Sequence, residues 1–133
     1  MKQDDGSGSV RLSDYELGWI VGFLEGEGSF TFDRTQRMAV ETTDEDAIET
    51  CASILTKIIG KRPYVAHNDK SHKDRWNDTY RCVVHGENAR MVMRLVVHHM
   101  HKRRRGRIWQ CLNGYKEQKI DLIKMLGLEK CDG

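Results

Sequence analysis

Apolar positions along this chain alternate between two spacings, and each switch marks the edge of an element. The stretch LGWIVGFLEGEG (residues 17–28) is apolar with no polar stripe, as in a helix covered on more than one side. Ser13 and Glu16 before it make a capping box, which predicts a helix from Asp14 to about Gly26. SFTFDRTQRMAVET then runs with a period of two: Phe30 and Phe32 point one way, Thr31 and Asp33 the other. Its break near RTQR reads as a hairpin. A second capping box, Thr43 with Asp46, opens the helix DEDAIETCASILTKII, where Ala47, Ile48, Cys51, Ile54, Leu55 and Ile58 recur at helical spacing until Gly60 ends it.

Two further strands follow. RPYVAHN carries Pro63 at its start, where a missing donor costs least, and WNDTYRCVVHG sets Tyr80, Cys82 and Val84 opposite Thr79, Arg81 and Val83. From Glu87 a helix carries Ala89, Val92, Met93, Val96 and Val97; a break over HMHKRRRG precedes the helix RIWQCLNGY, and KEQKIDLIKML supplies a short closing one. The predicted fold is therefore α+β, in the order α, β-β, α, β-β, α, α, with four antiparallel strands in one sheet. Residues 13–133 form a single domain, and the polar, glycine-rich residues 1–12 are expected to be a flexible tail.

A length of 133 residues allows one modest core. No apolar run approaches a membrane span, so no membrane partner is expected, and the polar residues before the first motif are not expected to act as a signal peptide. The four cysteines (Cys51, Cys82, Cys111, Cys131) show no CxxC spacing and read as reduced packing thiols. The compartment this implies is the cytoplasm or nucleoid, with an organelle or phage host left open. The net charge of +2 hides a division: residues 1–60 carry 5 Lys/Arg against 12 Asp/Glu, a net of −7, and residues 61–133 carry 17 against 8, a net of +9. A polyanion-binding surface built by the later half, with acidic chemistry in the earlier half, fits that asymmetry; a random dipole is the plain alternative.

The first helix holds the chemistry. Glycines at 18, 22 and 26 cost about 1 kcal/mol each against alanine in a helix interior. At i, i+4, i+8 they fall on one stripe, where a second backbone can come close. We read the stripe as a helix-pairing face between two copies, with close packing on the domain's own sheet as the alternative. Glu25 and Glu27 end the helix, where negative charge opposes the macrodipole. A hard divalent cation would relieve that cost, since magnesium takes carboxylate, water and phosphate oxygens. GEG is neither a P-loop, which needs a lysine, nor an EF-hand, which needs alternating oxygen ligands.

IVGFLEGEGSF (residues 20–30) resembles the signature of LAGLIDADG homing endonucleases: Gly22, the acids Glu25 and Glu27, Gly28 and the ensuing strand all match. It departs in having glutamate at both acidic positions. One motif in the chain implies the homodimeric branch, an αββαββα half-domain with a saddle-shaped sheet. The resemblance further implies a site-specific double-strand DNA endonuclease acting on a long near-palindromic target and leaving 3′ overhangs. Gly18, Gly22, Gly26 and Glu25 would form the dimer interface. Glu27, with Gly26 backbone beside it, would hold Mg2+ (Mn2+ substituting, Ca2+ binding without cleavage), supported by Asp44 or Thr43 at the end of the second strand and by Lys102.

The same resemblance places the sheet in the DNA major groove. Its readers would be Thr31, Asp33, Arg34, Gln36 and Arg37 from the first hairpin, and His67, Asn68, Lys70, Arg75, Asn77, Thr79 and Arg81 from the second. Arg to guanine and Asn or Gln to adenine are the pairings geometry favours; the plain alternative is that any antiparallel sheet is polar on its outer face. HKRRRGR (101–107) supplies Arg103, Arg104 and Arg105 as phosphate clamps, or else is a solvated helix start or a nuclear-type basic signal. His98, His99 and His101 have partial zinc-ligand spacing but no second cluster. Of the three tryptophans two are expected to pack and one, Trp76, to lie at the sheet surface. Two rival readings stand beside the nuclease: an RNA maturase or non-cleaving DNA-binding regulator of the same fold, and a helix-mediated dimer that binds no nucleic acid.

Overall fold

A computed structural model of the chain describes residues 11–69 and 78–114. Along these residues run α1 (Asp14–Glu27), β1 (Gly28–Asp33), β2 (Thr35–Thr42), α2 (Glu45–Ile59), β3 (Tyr64–Asn68), β4 (Thr79–His85), α3 (Gly86–Val96), a 3-10 turn (Val97–His99) and α4 (Lys102–Leu112). The strands form one antiparallel sheet in the order β1-β2-β4-β3. The expected closing helix, the tail before residue 11 and Cys131 lie outside the described residues.

Local signals set most boundaries. Ser13 Oγ accepts from Glu16 N–H at 3.0 Å and Glu16 Oε1 from Ser13 N–H at 2.9 Å, so the first capping box forms as the spacing predicts. Gly60 closes α2 with a left-handed φ of 83°. The second capping box does not form: α2 is capped by Asp44, whose carboxylate accepts from Ala47 N–H at 3.2 Å. Aspartate is the stronger N-cap, and it sits one residue later than the threonine. The basic run also departs from expectation, because KRRRG is the opening of α4 and not a break before it.

Strand parity and register divide the sheet into two faces. Phe30, Met38, Val40, Cys82 and Val84 face the helices and join a single core with Ile20 and Leu24 of α1, Ile48, Cys51 and Leu55 of α2, Val92 and Val96 of α3, and Ile108 of α4. Cys51, Cys82 and Cys111 are buried free thiols. A hydrogen bond to Cys82 and burial both push the Cys51 thiol up, which keeps it protonated. On the opposite face Ala39 and Val83 are buried at facing registers but stand outside that core. Among the described residues no helix is long and apolar enough to cross a membrane.

Candidate functional site

α1 buries one side only. Ile20 and Leu24 are fully buried, while Gly18, Gly22 and Gly26 are exposed, and a Cβ built on any of the three would meet nothing within 4 Å. Among the described residues, then, the stripe does not pack on the domain's own sheet. Tyr15 lies 75% exposed, and Trp19 meets Phe23 with ring centroids 4.8 Å apart and the planes tilted by 34°. This leaves an apolar helix side with aromatic residues and no side chains along its centre.

The helix leads into β1 through a tight junction. Gly28 N–H donates to Leu24 O, and a Cβ on Gly28 would come within 2.6 Å of that same oxygen. Only glycine fits there. Glu27, just before it, is exposed. Glu25 is engaged within its own chain: its Oε1 accepts from His101 N–H at 3.0 Å and lies 3.3 Å from His101 Nδ1. The His101 N–H holds the Glu25 carboxyl below the usual carboxylate value. His101 is the N-cap of α4, so the negative charge at one helix's C-terminus is relieved by the N-terminus of another. Glu25, expected at the dimer interface, makes this contact within its own chain and keeps part of its side chain exposed.

Register sorts the other predicted residues. Thr31 and Asp33 of β1, Arg37 of β2, Asn68 of β3, and Thr79 and Arg81 of β4 share the open face of the sheet. Thr79 Oγ1 donates to Glu41 Oε2 at 2.6 Å across that face. Arg34 is the exposed turn residue between β1 and β2, with φ 71°.

Two predicted readers lie on the other side. Gln36 is 5% exposed, donates to Cys111 O at 2.9 Å and accepts from Arg90 at 2.6 Å. Neighbouring strand residues point opposite ways, so with Arg37 on the open face Gln36 must face the helices. For the same reason His67, adjacent to Asn68, falls on the helix-side register, where it stacks on Tyr80 at 4.6 Å and meets Asp78 Oδ2 at 2.9 Å. Lys70, Arg75, Trp76 and Asn77 lie outside the described residues. Parity adds Ser29, Thr35, Tyr64 and His85 to the open face; sequence reasoning passed over them, although the alternation itself was there to read.

The basic run divides in the same way. Lys102, Arg103 and Arg105 are exposed in the first turn of α4, and Arg105 Nη1 donates to Met100 O at 3.2 Å. Arg104 turns inward and donates to Gly28 O, and Arg107 Nε donates to Phe30 O at 3.0 Å. β1 is an edge strand, and these guanidiniums satisfy carbonyls along it, which blunts the edge against stray pairing. Arg104 is therefore a structural donor rather than a phosphate clamp. Asp44, expected to support the chemistry, has its carboxylate committed to the α2 cap. Trp109, expected to pack, is 43% exposed and meets His98 edge-on at 5.8 Å, beside a groove of about 340 Å³ that Arg94, Val97 and Leu112 also line.

No family model matches the chain, and neither curated proteins nor solved structures give a significant match. The arrangement itself offers an uncovered glycine ridge, an exposed carboxylate at its end, a sheet face with polar residues around the buried Ala39 and Val83, and an exposed basic helix start.

Proposed function

We propose that this chain is a divalent-metal-dependent DNA endonuclease that works as a symmetric homodimer. One conjunction carries the reading: Gly18, Gly22 and Gly26 look onto open space while Glu27 stands exposed at the end of the same helix. Pairing of α1 with its copy across a twofold is self-complementary, and it would bring one Glu27 from each chain to the axis. The open face of the sheet starts at β1, directly after Glu27, so a duplex lying along that face would pass the paired carboxylates.

The donor set suits the metal. One exposed carboxylate per chain matches Mg2+, which takes one or two carboxylates and completes its shell with water and phosphate oxygens. Bound there, a divalent cation supplies polarisation of the phosphoryl oxygen and an activated water. The chain's own residues do the rest. Glu27 and the Gly26 backbone would hold the ion. Lys102 and Arg103 add positive charge at the start of α4, which Glu25 ties to the end of α1. Arg37 and Arg81 offer forked donors to guanine, and Asn68 an amide to adenine.

Plasmid cleavage by the wild type and by Glu27→Gln is the test. The wild type should cut with Mg2+ or Mn2+ and only bind with Ca2+. Glu27→Gln should bind the same DNA but cut at least about 1000-fold more slowly, the scale of losing a central electrostatic group. Salt-sensitive binding with no cutting by either protein would instead favour the non-cleaving regulator, and absence of salt-sensitive binding would remove nucleic acid altogether.

A further inference from the structure

The end of α1 and the first turn of α4 are joined at two points, and Glu27 lies between them in the chain. On one side Glu25 Oε1 accepts from His101 N–H at 3.0 Å, with His101 Nδ1 at 3.3 Å. On the other the Arg104 guanidinium donates to Gly28 O. Both partners on α4 fall within four consecutive residues, His101 to Arg104, so a single helical turn spans the junction. Arg104 is partly buried, and its Nε is enclosed without a hydrogen-bond partner among the described residues. Enclosure of that kind shows a side chain held inward, away from any phosphate outside.

We propose that this turn, which also carries Lys102 and Arg103, is a clamp: it fixes the backbone on both sides of Glu27, which makes Glu25 and Arg104 positioning residues for the Glu27 carboxylate. A helix end with unsatisfied carbonyls frays unless something holds it. The β1–β2 ladder holds Gly28 from the strand side, but Gly28 offers no side chain to pack and the Glu27 side chain is exposed, so side-chain packing at these two positions does not fix the helix end. The Glu25 carboxylate instead gains the N-terminal field of α4, and the Gly28 carbonyl gains a charged donor. Residues 102 and 103 carry their charge forward from this anchor, where a chain merely frayed at Glu27 would leave them unregistered. The catalytic consequence rests on the endonuclease reading; the clamp as a structural device does not.

Single-turnover cleavage and DNA affinity should be measured for Glu25→Ala, Glu25→Gln and Arg104→Met in the full chain. Glutamine keeps an oxygen that accepts from the His101 N–H, so Glu25→Gln is the conservative rescue. In Glu25→Ala the cleavage rate should fall about 100-fold, as a misplaced reacting group does, while affinity in Ca2+ stays within about threefold of wild type. Glu25→Gln should recover most of that rate, and Arg104→Met should resemble Glu25→Ala. Wild-type rate in Glu25→Ala, no recovery in Glu25→Gln, or an affinity loss as large as the rate loss would each overturn the proposal.

Amide exchange at His101 reads the clamp without any cleavage. Protection should be present in the wild type and Glu25→Gln, and lost in Glu25→Ala; equal exchange in all three overturns the clamp. If the wild type cuts no DNA while His101 follows the expected pattern, the endonuclease reading fails and the clamp stands. Should Arg104→Met not fold, the two Glu25 variants decide the matter alone.

Discussion

α1 and α2 are nearly the same length, 14 and 15 residues, yet they solve different problems. α2 has one apolar stripe (Ile48, Cys51, Leu55 and Ile58), which is buried, and its opposite side is polar. It is capped at both ends by residues that suit the ends, Asp44 and Gly60. α1 buries Ile20 and Leu24 but turns glycines outward and ends in acids, with no basic residue in its last turn. Everything in α2 serves the stability of one chain. Much of α1 works against it, a cost that the pairing proposed for α1 would account for.

The comparison breaks first where the two helices should respond oppositely to mutation. Ile48→Ala in α2 removes a fully buried side chain and should cost about 2–5 kcal/mol in urea unfolding. A cost well under 1 kcal/mol there would mean that α2 is not the central packing helix. Asp44→Ala removes the α2 cap and should cost about 1 kcal/mol. Since Asp44 was also expected to support cleavage, the same variant serves twice: a stability loss with cleavage intact at a temperature well below unfolding assigns it to the cap alone.

Gly22→Ala reverses the sign. A Cβ at position 22 meets nothing within 4 Å, so the isolated domain should gain up to about 1 kcal/mol from better helix propensity. Under the pairing proposed for α1, the same methyl group holds two backbones apart and weakens self-association. Sedimentation of wild type and variant across a range of concentrations checks both halves. A stabilised variant that associates as tightly as wild type would place the dimer contact elsewhere.

Much of the fold was legible because its signals are local. Ser13 and Glu16 are three residues apart, Gly60 directly follows its helix, and the alternation around Phe30 and Tyr80 sets the strand faces without further information. Errors came where a local reading had two solutions. Thr43 and Asp44 both cap well, and only the backbone decides between them. Gln36 with Arg37, and His67 with Asn68, are all polar enough for the outer face, but adjacent strand residues cannot share it. The site was less legible for a different reason. Glu25 meets His101, and Arg104 meets Gly28, each across a separation of 76 positions, so no local window of sequence contains either contact. The cost of two acids at a helix end was visible, but that α4 answers one of them and leaves Glu27 open was not.

The smallest effect tests the link between the two helices. Lys57, in the last turn of α2, pairs with Glu16, in the first turn of α1. The Lys57 ammonium, together with the Ser13 N–H, holds the Glu16 carboxyl below its ordinary value of 4.5. A carboxyl depressed in the folded state binds protons more readily when unfolded, so its contribution is fully present above 4.5 and fades as pH falls through the lowered value. Lys57→Met should therefore lower the urea midpoint slightly at neutral pH, with the gap to wild type closing as the solution is acidified below 4.5. Exposed pairs are weak and screened, so salt should shrink the gap as well. Part of the acid dependence should survive in the variant, because Ser13 still donates to Glu16. A gap that ignores both acid and salt would mean that Lys57 acts through its methylene stem, and the two helices would then be joined by apolar packing alone.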